Sequence, residues 1–480
     1  MKNVKLKFGT DGWRALVAEE FTFPHVRVVA QGIASYLKSH PAPGRPKKVI
    51  VGYDTRPLGD KFAETVAEVF AGNGFEVLLT AGAMPTPAIS FSIRDLHLCG
   101  GVAVTASHNP FTYNGLKFKP YYAGPSELEM TDWIERRLFK EPVKRMPLKE
   151  GVAQGKIKLI DLAPKYLAFI RRNVQWPIIR RSKFKIAYDS MHGAGQDLLQ
   201  RVVKGSRLKI IPVGEGVWPI RSSHRPEPIG EHLVQLSDAV KKQRCDVGLA
   251  TDGDADRLGL VGPDGKFVSA QETMALLLWH LLEDRRWRGM VVSTISATNL
   301  LDTMTAHYKV PFKRTPVGFK HIARCIRTED VIFGGEESGG FAFRGGVPER
   351  DGLLAGLLIL EMIAMRKKNL IEILRQMRKE FGHWIFKRDD LTLTRPVKSA
   401  ELVAWAEKNL RAGDRFGAGM KIREIGTADG VKIRLEDDSW ILLRPSGTEP
   451  LLRIYAEGRS DAQVAALIRE GRRAGLSVLA

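Results

Sequence analysis

Short β-branched runs alternate with segments of helical spacing through the first four-fifths of the chain. Lys48-Val49-Ile50-Val51-Gly52-Tyr53 is an apolar run that stops at Asp54. Phe62–Phe70 has apolar residues at helical spacing, Phe75–Leu79 is strand-like, and Gly101–Thr105 is a β-branched run ending in a polar loop. The cycle repeats: strand Phe184–Tyr188, helix Asp197–Val203, strand Leu208–Val213, helix Leu233–Lys241 and strand Asp246–Ala250. A third round contains helix Glu272–Leu282, strand Met290–Ser293, helix Thr298–His307 and strand Val331–Phe333. Strands alternating with helices predict βαβ units around mixed, mainly parallel sheets. After Phe381 the texture changes. Val431–Leu435 and Trp440–Leu443 alternate like antiparallel strands, with Asp437-Asp438-Ser439 as their turn, and Asp461–Arg473 is a terminal helix. The expected architecture is three similar α/β domains at 1–150, 151–256 and 257–380, followed by a smaller α+β domain at 381–480. The Pro-, Lys- and Gly-rich segment 141–154 and the segment 382–390 are the expected linkers.

Length agrees with several domains: 480 residues at roughly 150 per domain gives about three. Hydrophobic residues form 44% and charged residues 27%, which excludes wholesale disorder. The net charge of +20 points to an anionic partner, whether a phosphorylated metabolite, a nucleic acid or an anionic surface. Cys99, Cys245 and Cys325 are far apart and form no CxxC pair, so neither a disulfide framework nor a zinc site is expected. The start of the chain has no apolar run of signal-peptide length. Leu353–Met365 is interrupted by Glu361 and is too short to span a bilayer. The expected setting is cytoplasmic, with no membrane partner.

Four polar loops beside predicted strands carry the candidate chemistry, since ligands of open α/β sheets bind at the carboxyl ends of strands. The first is Thr105-Ala106-Ser107-His108-Asn109-Pro110. Serine next to histidine suggests a hydrolase, but no glycines flank the serine as a nucleophile elbow requires. Read alone, the loop is either a reactive serine or a plain turn. Lys117 returns close behind it and can shuttle protons if burial lowers its pKa. The second loop is Thr251-Asp252-Gly253-Asp254-Ala255-Asp256-Arg257. Three alternate carboxylates can converge on a hard cation. An EF-hand would need Gly where Arg257 stands and Glu where Pro263 stands. Three carboxylates leave coordination positions for phosphate or water, which favours Mg²⁺ in phosphoryl chemistry. The third loop, 334–340, sets Glu336, Glu337 and Ser338 between glycine pairs. It suits a hydroxyl-rich ligand, or is a flexible acidic loop. The fourth is Arg444-Pro445-Ser446-Gly447-Thr448-Glu449-Pro450 with Arg453 behind it, an anion nest or a Pro/Gly turn.

Taken together with Phe8-Gly9-Thr10-Asp11-Gly12-Trp13-Arg14, these loops resemble the α-D-phosphohexomutase family, which includes phosphoglucomutase and phosphomannomutase, over nearly the whole chain. The resemblance implies four domains around one cleft. It implies that Ser107 is a phosphoserine that gives its phosphoryl to a hexose 1-phosphate or 6-phosphate. The hexose 1,6-bisphosphate then turns over and returns its other phosphate. By the same resemblance Ser107, Asp252, Asp254 and Asp256 hold Mg²⁺. Arg14, His108 and Arg257 line the transfer site, and Lys117 handles the proton. Lys320, Glu336 and Ser338 contact the sugar. Arg444, Ser446, Gly447, Thr448 and Arg453 hold the second phosphate. One departure stands out: many relatives have histidine where this chain has Gly340, and Lys320 and His321 are the candidates to replace it.

The leading expectation is therefore a phosphosugar mutase acting on glucose and mannose phosphates, as a monomer or homodimer. A phosphoglucosamine mutase is the alternative. Amino-sugar enzymes usually carry Gln at position 337 and His at 340, whereas this chain has Glu337 and Gly340. The charge also allows a nucleic-acid-binding protein. Against that, basic residues are scattered and form no zinc-finger spacing, RNP-like motif or dense tract.

Overall fold

The computed structural model describes residues 6–9, 12–216, 225–417, 419–446 and 450–479. They divide into two compact units, Met1–Val292 with Phe319–Ile373, and Ser293–Gly318 with Leu374–Ala480.

The central strands of the first unit are buried on both faces, which is why they read as continuous apolar segments rather than alternating ones. Its first sheet has the order Trp13–Leu16, Tyr113–Pro120, Gly100–Val104, Lys48–Tyr53, Glu76–Thr80, Ile157–Ile160. Lys48–Tyr53 runs parallel to both Glu76–Thr80 and Gly100–Val104, while Tyr113–Pro120 returns antiparallel to Gly100–Val104. The second sheet has the order Phe267–Val268, Leu258–Val261, Val247–Thr251, Lys185–Asp189, Lys209–Val213. Here Lys185–Asp189 has parallel neighbours and Leu258–Val261 returns antiparallel to Val247–Thr251. Val331–Gly335 and Phe341–Phe343 form a third such return, with Gly335 opposite Phe341. Each of the first three polar loops thus joins a buried strand to an antiparallel return. This construction aims the loop side chains off the strand's carboxyl end.

The second unit contains an antiparallel sheet of order Ile385–Thr392, Leu451–Gly458, Trp440–Pro445, Val431–Leu435, Met420–Gly426, Arg415–Phe416. The predicted hairpin is present, with Val431 opposite Leu443 and Arg434 opposite Trp440. Helix Asp461–Ser477, capped by Ser460, lies against the sheet, and Gly471 gives Ile441 and Ile454 room.

Three expectations need correction. The segment 382–390 is not a linker: Ile385–Thr392 pairs along its whole length with Leu451–Gly458. It is an edge strand with a charged run, Lys387-Arg388-Asp389-Asp390, and half-exposed edges lose the apolar signature of a strand. Within 141–154, Leu148–Ala153 forms a short helix. Strand Ile157–Ile160 then joins the first sheet beside Glu76–Thr80. The helix expected over Glu272–Leu282 starts at Ala270 behind the cap Ser269, and its α-form ends at Trp279 in a π-turn. No helix among the described residues is long and apolar enough to cross a membrane.

Candidate active site

Ser107 is fully buried and has φ of 52°, a left-handed conformation that costs a non-glycine residue of order 1–3 kcal/mol. The loop around it compensates. Ser107 N donates to Thr105 Oγ1 at 2.9 Å, and Arg56 donates to the carbonyls of Ser107, Asn109, Pro110 and Tyr113 at 2.6–2.9 Å. Arg56 is itself held by Asp54 at 3.1 Å, a buried pair at the end of strand Lys48–Tyr53. With the backbone fixed in this way, Ser107 Oγ donates to Asp252 Oδ2 at 2.9 Å.

The acidic loop follows strand Val247–Thr251. Ala255 adopts φ of 55°, and its N–H closes a turn on the Asp252 carbonyl at 3.0 Å. That turn brings the three carboxylates together: one oxygen from each of Asp252, Asp254 and Asp256 lies within 4.8 Å of the others. All three residues are fully buried. Asp252 Oδ1 accepts from the N–H groups of Asp256 and Arg257 at 2.9 and 3.1 Å. Asp254 Oδ2 accepts from Lys117 at 2.6 Å and Thr86 at 2.5 Å. Asp256 Oδ2 accepts from Arg350 at 2.6 Å and Lys117 at 3.4 Å. The remaining oxygens, Asp254 Oδ1 and Asp256 Oδ1, are buried without a hydrogen-bond partner. Two orphaned carboxylate oxygens beside a serine-bound third carboxylate fit a hard divalent cation, which would satisfy them. Gly253 is required where it stands, because a Cβ there would overlap the Ser107 carbonyl.

The electrostatics are uneven. Burial raises the Asp252 carboxyl well above its ordinary value, reinforced by Asp256 and Asp254. Burial acts the same way on Asp254, but Lys117 and Thr86 outweigh it and hold that carboxyl well below the usual range. Lys117 does not meet the condition set from sequence. Burial alone would lower its ammonium, but Asp254 and Asp256 reverse the effect and raise it. Lys117 is therefore cationic, 2.6 Å from Asp254. His108 is pushed well below its ordinary value by burial, then by Arg257, Arg14 and Lys117. It is a neutral imidazole whose Nδ1 accepts from Arg257 Nη2 at 3.0 Å. Arg14 Nη1 donates to Asn109 Oδ1 at 2.8 Å.

The 334–340 loop is docked directly on the acidic loop. Leu258 N donates to the Gly339 carbonyl at 2.9 Å, beside a bridge between Arg257 and Gly340. Glu336 is buried and accepts from Arg350 Nη1 at 3.2 Å, and Ser338 is half-buried. Lys320 is half-buried in the first turn of helix Phe319–Thr328. The fold thus brings together Ser107, His108, Arg14, Lys117, Arg257, the three aspartates and Glu336 within the first unit.

In the second unit, Arg444 and Arg453 lie directly opposite each other on paired strands. Like charges at such a position repel unless something neutralises them. Arg444 Nε donates to Asp429 at 2.9 Å, while Arg453 Nε is buried without a partner among the described residues. Ser446 is buried beside them. Gly447 and Thr448 lie outside the described residues.

Sequence reasoning missed Asp54, Arg56, Thr86 and Arg350. Only Asp54–Arg56 left a trace, as a charged pair at a strand end. Thr86 begins helix Thr86–Asp95, and Arg350 precedes the buried helix Gly352–Arg366. Neither position is marked by spacing.

Four family profiles match the chain in order. They are "Phosphoglucomutase/phosphomannomutase, alpha/beta/alpha domain I" over residues 5–145, domain II over 164–265, domain III over 269–381 and the C-terminal domain over 400–474. A phosphoglucomutase/phosphomannomutase of Thermococcus kodakarensis is 31% identical over 459 residues, covering 95% of both chains. A protein of Methanosphaera stadtmanae, provisionally named a phosphoglucosamine mutase, is 30% identical over 469 residues, 96% of each. Among solved structures, a Thermus thermophilus protein with a provisional phosphomannomutase assignment superposes with a TM-score of 0.84 at 33% identity. It covers 98% of this chain and 99% of its own. With these matches running end to end, the chain belongs to the phosphoglucomutase/phosphomannomutase family and is a phosphohexomutase, an α/β phosphotransferase of the α-D-phosphohexomutase type.

Proposed function

We propose that this enzyme moves a phosphoryl group between O1 and O6 of glucose phosphate, and of mannose phosphate, through a phosphoserine at Ser107 and a hexose 1,6-bisphosphate. The observation that carries this reading is the contact of Ser107 Oγ with Asp252 at 2.9 Å, beside two carboxylates that each keep an orphaned oxygen. Asp252, Asp254, Asp256 and the phosphate on Ser107 would hold Mg²⁺. Bound there, the ion supplies charge neutralisation for the transferring phosphoryl.

This chain's own residues do the rest. A sugar hydroxyl attacks the phosphorus, the new P–O bond forms, and the bond to Ser107 Oγ breaks. Lys117, held cationic by Asp254 and Asp256, gives a proton to the departing Oγ and takes up the proton that the attacking hydroxyl releases. Arg14 and Arg257 donate to the phosphoryl oxygens, and neutral His108 orients Arg257. Glu336, Ser338 and Lys320 bind the sugar. Arg444, Ser446, Gly447, Thr448 and Arg453 hold the phosphate that is not reacting. The enzyme works in the cytoplasm as a monomer or homodimer.

A second reading, glucosamine phosphate as substrate, is favoured by relatives such as that of Methanosphaera stadtmanae. A coupled assay with glucose 1-phosphate, mannose 1-phosphate and glucosamine 6-phosphate separates the two. Glucose 1-phosphate is expected to have the highest kcat/KM. A value for glucosamine 6-phosphate well above the other two would move the substrate to the amino sugar and leave the phosphoserine chemistry intact.

A further inference from the structure

Gly340 ends the 334–340 loop, and the space beside it is filled by Arg350. A Cβ on Gly340 would overlap Arg350 Cδ, so the arginine in this position requires the glycine. Arg350 is buried, and its guanidinium has two anchors. Nη2 donates to Asp256 at 2.6 Å, and Nη1 donates to Glu336 at 3.2 Å. The guanidinium also stacks over Phe319, 5.2 Å from the ring centre. Its backbone is fixed from both sides. Glu349 pairs with buried Lys119 and accepts from Ser90, while Asp351 accepts from Tyr166 at 2.9 Å. Gly352 N donates to the Ala255 carbonyl in the acidic loop at 3.1 Å. Neither Lys320 nor His321 is given this position; Arg350 has it.

This arrangement has a consequence for the sugar. Glu336 is buried, and an unpaired buried carboxylate strongly attracts a cation. Here Arg350 already supplies that cation. A neutral ring hydroxyl can still donate to the carboxylate. An ammonium group arriving at the same loop meets a carboxylate already neutralised and a guanidinium that repels it. We infer that Arg350, admitted by Gly340, is a specificity-determining residue that gives Glu336 a permanent counter-ion and so favours neutral hexose phosphates over amino-hexose phosphates. The inference rests on the mutase reading and on Glu336 lying at the sugar.

The test compares kcat/KM for glucose 1-phosphate and glucosamine 1-phosphate in the wild type, Arg350→Met, Arg350→Lys and Gly340→Ala. Loss of the contact to Asp256 burdens both sugars alike, so the ratio isolates the effect at Glu336. Arg350→Met is expected to raise the glucosamine-to-glucose ratio by about tenfold or more. Gly340→Ala, which displaces the arginine, should shift it in the same direction. Arg350→Lys keeps the charge and should stay near the wild-type ratio. If Arg350→Met does not fold, Arg350→Gln removes the charge while keeping a polar side chain and is read in the same way. An unchanged ratio in a folded charge-removing variant overturns the inference, because a merely structural arginine would lower both activities together. If the wild type turns over none of glucose, mannose and glucosamine phosphates, the proposed substrate reading has failed. The inference is then read from equilibrium binding of the same two sugar phosphates by calorimetry, where the same shift is expected and its absence is decisive.

Discussion

Ser107 holds its hydroxyl on Asp252 with the backbone kept at a positive φ, so the oxygen proposed to carry the phosphoryl is pre-aimed rather than recruited. Ser107→Ala removes the one oxygen that can carry the phosphoryl, and turnover should fall by at least about a thousandfold. Intact-mass analysis of active wild-type protein should show one added phosphoryl, mapped to Ser107. Full turnover by enzyme lacking it, with no bisphosphate activator present, would remove the phosphoserine from the mechanism. Asp254→Asn takes the charge from a carboxylate that both pairs with Lys117 and offers a free oxygen. Calorimetric titration with Mg²⁺ should show weakened binding. Thermal stability should also drop, since breaking a buried ion pair costs about 3–5 kcal/mol. Metal affinity equal to the wild type would argue that the acidic turn is structural.

Asp351 offers a pH test on a carboxylate that is not one of the three in the acidic loop. Burial raises its carboxyl from 3.8 to about 6, although the Leu354 N–H and Tyr166 hydroxyl favour the charged form. Between those values the folded chain binds a proton that the unfolded chain has released. The charged group therefore destabilises the fold above pH 6, and the penalty of at most about 3 kcal/mol is relieved as pH falls toward 4. Asn keeps a helix cap without the charge. Asp351→Asn should therefore gain in melting temperature relative to wild type at about pH 7.5, and lose that gain near pH 4.5. A difference that stays constant across this range would show that Asp351 does not titrate there.

At the scale of elements, the reactive loops are hairpin tips fastened by residues outside them. Arg56, three residues beyond the end of Lys48–Tyr53, ties four carbonyls of the loop carrying Ser107. A lysine has a single ammonium and no planar fork, so it cannot reproduce that set. Arg56→Lys should lower stability by about 2–4 kcal/mol and depress kcat more than it raises KM. Hydrogen exchange should show loosening of residues 105–113. Equal protection in both proteins would mean the loop holds its own shape.

At the scale of the whole molecule, the residues proposed for phosphoryl transfer and those proposed for the second phosphate belong to separate compact units. Arg444→Ala should raise KM for hexose phosphates by about ten- to a hundredfold, since charge-assisted bonds are worth about 1.5–3 kcal/mol. It should leave phosphorylation of Ser107 by a hexose bisphosphate possible. An unchanged KM for every sugar phosphate would reduce the Arg444 loop to a turn. The net charge of +20 should make KM rise with ionic strength, as screening weakens the attraction of an anionic substrate. Binding to DNA or RNA in a salt titration should be weak and indifferent to sequence.

Much of this protein was legible from order and spacing alone. The alternation of strands and helices identified α/β units, and strand ends located the loops of Ser107, Asp252–Asp256 and Glu336. These features are local: a strand, its turn and its return are written in consecutive residues. The edge strand Ile385–Thr392 escaped because exposure, not pairing, governs its composition. What only the tertiary structure decided is non-local. Asp256 and Arg350 are 94 residues apart, and Thr86 meets Asp254 across 168. No periodicity relates residues at such separations. The charge state of Lys117 was also beyond the sequence. Burial and ion pairing push an ammonium in opposite directions, and the approach of Asp254 at 2.6 Å and Asp256 at 3.4 Å determines which prevails. Gly340 shows both sides of the division. The sequence displayed the missing side chain, and packing alone revealed that an arginine ten residues on had taken its space.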